Sequence, residues 1–549
     1  MKNDDNNKNF TSELLKSYTF KGQSIGIGLG LCDDGLDMNI ENIVQLPLST
    51  MNRHGLIAGA TGTGKTKTLQ KIIEQLSLSG VPSLVMDIKG DISGISQAGI
   101  SIPGSKLEAR IKSLKVTNWQ PQNLPTEFMT ISNGQGVKIR ATISEFGPVF
   151  LSKILDLNDI QSSVISLVFK YCDEKGLLLL DLKDLKKSIQ YLSTEGKSEI
   201  EMEYGAIAPA SMSAIMRSII TLEEQGGDAL FGEKSFEVGD LTRTDGEGNG
   251  FVSILRVADM QSKPKIFSTF MLCMMAEIFE NFEEAGDLEK PKLCIFIDEA
   301  HLLFDNSNPT LIEKIEIMVK LIRSKGVGIY FITQNPMDIP SSVLSQLGLK
   351  VQHALRAFTA NDNKAIKLAS DNFPISKYYD IPTVLTSMEI GEALVTCLGE
   401  DGNPTMLIRT KIFPPETRMD VVTSQEIDNN VARSQIASKY YNLIDGESAY
   451  EILGGKIQQA VQKDTQNLEA IRIAKEFEEK EKLRVTAEKE QTKVEAQKAK
   501  EAEKIDAGQG GIFGDGSIGK SILRSLSVTM TGAIARQVLR GMFGNAKKK

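Results

Sequence analysis

The 549-residue sequence has only five cysteines, Cys32, Cys172, Cys273, Cys294 and Cys397, scattered with no Cys-X-X-Cys pair and no histidine at ligand spacing. That excludes a disulfide framework and a structural zinc site, and leaves reduced core residues. Long apolar runs are missing too. Stretches such as residues 293–297 and 177–180 fall far short of the ~20 residues needed to span a bilayer. The opening Met-Lys-Asn-Asp-Asp-Asn-Asn is too polar for a secretory signal, so a cytoplasmic protein without a transmembrane segment is expected. Nor is there an excess of positive charge: 63 Lys and Arg against 71 Asp and Glu give a formal charge of −8. This rules out a surface coated for nucleic acid, though not a local basic channel. The remaining composition, 41% hydrophobic and 24% charged, suits a globular chain with a large core and room for two or three domains.

What the sequence does contain is a complete phosphate-binding loop: Gly59, Ala60, Thr61, Gly62, Thr63, Gly64, Lys65 and Thr66. An apolar run, residues 55–58, precedes it, and a helical pattern over 67–78 follows. Glycines at its first and sixth positions let backbone N–H groups wrap a polyphosphate. Lys65 then reaches the β and γ phosphates, and the Thr66 hydroxyl is suited to Mg²⁺. The helix that continues through Lys67 aims the positive end of its dipole at the same anion. Glycine-rich turns occur without ligands, but the whole octet between strand and helix points to a bound nucleoside triphosphate.

Strand-like runs recur at 56–59, 83–87, 128–131, 137–143, 251–257, 293–298 and 328–333, with helical patterns between several of them. This predicts an α/β fold with a mostly parallel sheet. A polar tail to about Lys16 and a short glycine-alternating β segment occupy 1–42. The first part of the core covers 43–147, a largely helical insertion 148–250, and the second part of the core 251–412. A charged helical region fills 413–507, where Glu and Lys interleave and a solvated helix suits the sequence better than a coiled coil. A Gly-rich hinge and a basic amphipathic helix complete 508–549, a segment able to dock on another subunit, a membrane or nucleic acid.

Residues 294–297, Cys-Ile-Phe-Ile, form an apolar strand that ends in Asp298 and Glu299. A parallel strand of this kind delivers Asp298 to a Mg²⁺ coordination sphere and Glu299 to the attacking water. Asp87 and Asp91, in Asp-Ile-Lys-Gly-Asp, reach the same edge either as helpers or as turn residues. Gln334 follows the strand 328–333, where its amide suits sensing of the γ-phosphate. Arg323 and Arg356 are the candidates for a charge-stabilising finger, because a permanently charged planar fork suits a transferring phosphoryl group. His54, His301 and His353 adjoin these motifs singly, a pattern for orienting or capping rather than metal binding.

Together, Arg53-His54-Gly55 leading into the loop, Asp-Ile-Lys-Gly-Asp, Ile-Asp-Glu-Ala-His and Thr-Gln-Asn-Pro resemble the HerA and FtsK superfamily of P-loop ATPases. The match is closer to the HerA-like branch that includes the bacterial YjgR proteins. The resemblance implies a RecA-like core of the additional-strand type, ATP and Mg²⁺ as cofactors, and a homo-hexameric ring with nucleotide at its subunit interfaces. It also implies duplex DNA as the translocated substrate, with an effector protein or nuclease as partner. Relatives that power conjugation or protein secretion keep a protein-remodelling ATPase open as the alternative. By motif, Lys65 and Thr66 take the family's loop roles, Asp298 and Glu299 its acidic pair and Gln334 its sensor. The family's finger precedes the glutamine-bearing strand, which favours Arg323, while Arg356 lies in a branch-specific motif. Only about 40 residues precede the core here, without the β-barrel that HerA carries, which weakens transfer of the nuclease partner.

Overall fold

The computed structural model describes residues 2–32, 39–261, 263–304, 309–356, 360–441 and 446–506. Among these, twelve short strands join one sheet: β1 (Ser24–Leu31), β2 (Ile43–Pro47), β3 (Gly55–Ala58), β4 (Ser83–Asp87), β5 (Thr126–Thr130), β6 (Val137–Lys138), β7 (Val252–Arg256), β8 (Leu293–Ile297), β9 (Val327–Thr333), β10 (Leu349–His353), β11 (Glu392–Thr396) and β12 (Ile408–Ile412). Their order is β2-β1-β12-β11-β10-β3-β9-β8-β4-β7-β5-β6. From β10 to β6 every pairing is parallel. From β10 back to β2 every pairing is antiparallel. β9 lies between the strand that leads into the loop and the strand that ends at Asp298, so the core is of the additional-strand type.

The central strands are buried on both faces, as a parallel sheet requires. Alternate residues feed two cores. Leu56, Met86, Ile295 and Phe331 join one hydrophobic cluster, while Ile57, Val85, Phe296 and Ile332 join another with Leu69, Ile72 and Ile73 of the helix Lys65–Leu78. The first cluster also takes in Leu151, Ile165, Leu185 and Ile215 from the helices Ile143–Ile154, Asp159–Glu174, Leu182–Ser193 and Pro209–Glu224. The inserted helices thus complete one face of the sheet.

Three expectations need correction. The polar tail is a helix, Lys2–Tyr18, whose Phe10, Leu14 and Tyr18 are buried. Phe10 meets Tyr378 edge-on at 5.2 Å, and the Tyr18 hydroxyl donates to the Met406 carbonyl at 2.8 Å. Residues 137–143 are not a continuous strand, because Thr142 and Glu145 form a reciprocal capping box that starts a helix at Ile143. The insertion therefore begins before Pro148, which follows a break in the helix at Gly147, φ 73°. β10, β11 and β12, outside the strand-like runs, extend the sheet beyond the loop.

After β12 the chain passes as a strap across the helix Lys65–Leu78. The fully buried Glu74 carboxylate accepts the backbone N–H groups of Glu416 at 2.7 Å and Thr417 at 3.0 Å, and Lys71 Nζ at 2.6 Å. Gln70 Nε2 donates to Thr417 Oγ1 at 2.9 Å and to the Arg418 carbonyl at 2.7 Å. Lys67 Nζ donates to the Met419 carbonyl. Residues 67, 70, 71 and 74 share one helix face by their spacing.

Contacts divide the chain into two units, Met1–Ala460 and Val461–Lys549. In the second, residues 461–506 are helical, with most side chains in solvent. Arg472 and Glu476 pair at 3.2 Å along this helix. The hinge and basic helix expected at 508–549 lie outside the described residues. Among the described residues no single helix is long and apolar enough to cross a membrane.

Candidate active site

The loop between β3 and the helix Lys65–Leu78 is shaped by backbone that glycine alone tolerates well. Gly59 has φ 149° and Gly64 φ 113°. A Cβ on Gly59 would lie 2.5 Å from the Cβ of His353, and one on Gly64 would lie 3.1 Å from the Gly391 nitrogen. His353 is thus the floor of the loop. Its Nε2 lies 2.9 Å from Thr68 Oγ1, and burial lowers its pKa to about 4, which keeps the ring neutral. Two further backbone bonds fix the loop: Ala60 N–H to the Ala354 carbonyl, and Gly391 N–H to the Thr63 carbonyl, each 2.9 Å.

Lys65 opens the helix, so the unpaired N–H groups of its first turn adjoin the loop. Its Nζ folds back onto the carbonyls of Gly59 at 2.6 Å and Ala60 at 3.2 Å. Burial, and then the charge of Lys89, lower its pKa. Thr66 Oγ1 donates to Asp91 Oδ2 at 3.0 Å. Thr61 Oγ1 donates to Gln334 Oε1 at 3.2 Å, so the residue after β9 meets the loop. Lys67 instead reaches the strap.

β4 and β8 bring four carboxylates to this edge: Asp87, Asp91, Asp298 and Glu299. The backbone beyond β8 is pinned on both sides, by Asp298 N–H to the Met86 carbonyl at 3.3 Å and Ala300 N–H to the Ile332 carbonyl at 2.8 Å. Between those anchors Glu299 takes φ 47°, a left-handed conformation uncommon for a residue other than glycine. Its carboxylate pairs with Lys89 Nζ, and His301 Nδ1 stands 3.3 Å from its other oxygen. Burial, reinforced by Glu299, raises Asp298 to a pKa of about 7. Burial, reinforced by Asp91, raises Asp87 to about 6. Burial works against the charge on Lys89, yet Glu299 and Asp298 hold its pKa above the usual lysine value.

These residues fit a small divalent cation. Asp87 Oδ2 and Asp91 Oδ1 are buried without hydrogen-bond partners, and the Thr66 hydroxyl and Asp298 at the same edge offer the oxygen ligands that Mg²⁺ takes, although among the described residues no three acidic side chains converge as a metal cluster. A cation would also offset the crowding of negative charge that raises Asp298.

The remaining candidates separate. Arg323 precedes β9 at the opposite, amino edge of the sheet, exposed and within electrostatic reach of Arg53 and Asp287. The chain does not bring it to its own loop. Arg356, exposed, follows β10 on the loop's side. His54 does not cap the site as expected: it lies before β3 at the amino edge, where its Nδ1 accepts the Ile329 N–H at 3.0 Å. Sequence reasoning missed Lys89, although it sits inside Asp-Ile-Lys-Gly-Asp at the right edge. It also missed Arg110, which donates to the Gly391 carbonyl at 2.7 Å and the Ile412 carbonyl at 2.9 Å behind Gly64. No local signal announced that contact across 281 residues.

The sequence profile described as "Helicase HerA-like C-terminal" matches residues 35–549. The chain belongs to the HerA-like family of P-loop ATPases. This HerA-like chain is similar to the DNA double-strand break repair helicase HerA of Sulfolobus acidocaldarius, 23% identical over 371 residues that cover 65% of this chain and 64% of that protein. It therefore spans just under two thirds of that relative's length. The protein of the same name from Saccharolobus solfataricus is 23% identical over 393 residues, 70% of this chain and 68% of that one. Among solved structures, the bacterial conjugative coupling protein TrwB aligns at 15% identity with a TM-score of 0.47, covering 75% of this HerA-like chain and 94% of that chain. VirB4 of Thermoanaerobacter pseudethanolicus aligns at 17% identity with a TM-score of 0.44, covering 72% and 97%.

Proposed function

We propose that the protein hydrolyses ATP as a ring-forming motor that moves duplex DNA. The observation that carries the hydrolytic part is the convergence of Lys65, Thr66, Asp298 and Glu299 on one sheet edge, with Gln334 on the strand between. Lys65 would leave the carbonyls of Gly59 and Ala60 to bind the β and γ phosphates, and the loop N–H groups would hold the same chain of phosphates. Thr66 and Asp298 would hold Mg²⁺, which when bound draws charge from the phosphate oxygens. Glu299, fixed by its strained backbone, would accept a proton from the attacking water, and Gln334 would orient that water. The finger would come from a neighbouring copy, with Arg323 the better placed of the two arginines because its own loop is out of its reach. A homo-hexamer is the assembly this reading expects. The names of the archaeal relatives support DNA as the substrate.

The test is ATP turnover with and without duplex DNA at low salt, beside the mass of the assembled particle. Turnover stimulated by DNA, with stimulation falling as salt rises, is the expected result. Glu299→Gln should keep nucleotide binding and lose about 10²–10⁴-fold in rate. Unchanged turnover at saturating DNA would redirect the motor toward a protein substrate, and wild-type turnover by Glu299→Gln would remove Glu299 from the chemistry.

A further inference from the structure

Lys89 has no part in the loop, the metal set or the acidic pair, yet it makes the ion pair that occupies Glu299. The two ends of that pair differ sharply. The Glu299 side chain is 5% exposed and its backbone is fixed between two anchored strands, whereas the Lys89 side chain is 43% exposed. Lys89 is followed by Gly90, at φ 78° with open space around it, in a turn held by Gly90 N–H to Asp87 Oδ1 at 2.7 Å. If the pair opens, the lysine is the partner free to move.

Its surroundings say where it would go. Lys65 feels the charge of Lys89, and both lysines feel Asp298, Glu299 and Asp91. Two ammonium groups gathered at one sheet edge suit a polyanion that both can touch. A terminal phosphate against Lys65 carries more negative charge than the single carboxylate that now holds Lys89, and it offers several acceptor oxygens. We propose that Lys89 is a second phosphate-directed cation of the nucleotide site, held by Glu299 at rest and drawn away from it by the terminal phosphate of a bound triphosphate. This rests on the ATPase reading above. The exchange leaves His301 as the remaining ion-pair neighbour of the Glu299 carboxylate among the described residues, with the carboxylate open to accept a proton from water. The resting pair thus keeps the general base occupied until the group to be cleaved has arrived.

The whole 549-residue chain, with Mg²⁺, is titrated calorimetrically with a non-hydrolysable β,γ-imido triphosphate and separately with ADP. The proteins compared are wild type, Lys89→Met, Lys89→Arg, Glu299→Gln and Lys89→Met/Glu299→Gln. Lys89→Met should weaken the triphosphate about tenfold and ADP by less than about twofold, the mark of a contact made only to the terminal phosphate. Lys89→Arg should restore most of the preference for triphosphate over diphosphate. Glu299→Gln should tighten the triphosphate several-fold by freeing Lys89, and should lose that gain in the Lys89→Met background. A lysine that only supports the local fold would alter both nucleotides alike. Equal effects on the two nucleotides, or the same Glu299→Gln effect on either Lys89 background, overturn the proposal. Failure of the wild-type protein to bind either nucleotide overturns the ATPase reading and this inference with it, and is told apart from the preceding results by the wild-type titration.

Discussion

Glu74→Ala tests how firmly the helix behind the loop is fastened to the strap that follows β12. The carboxylate is wholly buried and accepts two backbone N–H groups, from Glu416 at 2.7 Å and Thr417 at 3.0 Å. It also neutralises Lys71, itself only 5% exposed, at 2.6 Å. Hydrogen bonds to a charged acceptor contribute about 1.5–3 kcal/mol each. Removing one member of a buried, hydrogen-bonded ion pair costs about 3–5 kcal/mol, because the stranded charge and donors stay desolvated. Alanine at position 74 is therefore expected to destabilise the first unit by about 3–5 kcal/mol, and glutamine, which keeps one acceptor oxygen, by about half that. Urea unfolding at neutral pH reads the loss directly. Amide hydrogen exchange at Glu416 and Thr417 locates it, since those two groups should lose protection first. A loss below about 1 kcal/mol, or unchanged protection at the two amides, would refute the reasoning by showing that the strap is held by other contacts.

Two further predictions concern the floor of the loop. Burial holds His353 at a pKa of about 4, against 6.5 for the ordinary group. The unfolded chain therefore takes up a proton below pH 6.5 that the fold excludes. Stability from this group is complete above 6.5 and lost as pH falls toward 4, about 2 kcal/mol of it by pH 5. The stability advantage of wild type over His353→Gln should shrink by that amount between pH 7 and pH 5, and a constant difference in urea unfolding would rule the effect out. Gly59→Ala would place a Cβ 2.5 Å from that of His353 on backbone at φ 149°. It should weaken nucleotide binding by at least about tenfold, roughly 1.4 kcal/mol, and wild-type affinity in a nucleotide titration would show that the loop relaxes freely.

The placement of the candidate site residues was legible because it is written in short local patterns. Gly59 to Thr66 is one turn, and Asp298-Glu299 and Gln334 each end a strand whose apolar run is unbroken. Parallel strands place such ends at one edge, so reading the strands also located the acids. What escaped depends on distant partners. The stripe of Phe10, Leu14 and Tyr18 is one residue wide in a segment crowded with Asn, Asp and Lys, and only its packing partners disclose the helix. β11 and β12 gain their places from antiparallel pairing with each other and with β1 and β10, which no local period reveals. His54 adjoins the loop in sequence yet sits at the far end of β3. Lys89 lay in a motif already singled out, but its pairing with Glu299 depends on the neighbouring of β4 and β8.

The two edges of the sheet carry unlike equipment, Lys65 and Glu299 at one and Arg323 at the other. If the arginine of one copy completes the site of the next, the surfaces in contact are different on the two molecules. Such a contact has no two-fold axis, so a symmetric dimer could not complete both of its sites in this way. Every copy offers one face and receives the other, and the series ends only by closing on itself or by continuing as a filament. The polarity of β9, with Arg323 before it and Gln334 after it, would then set the direction in which successive copies are counted. A single altered copy in a closed ring would disable two kinds of position: its own loop, or the site of the neighbour on one side only.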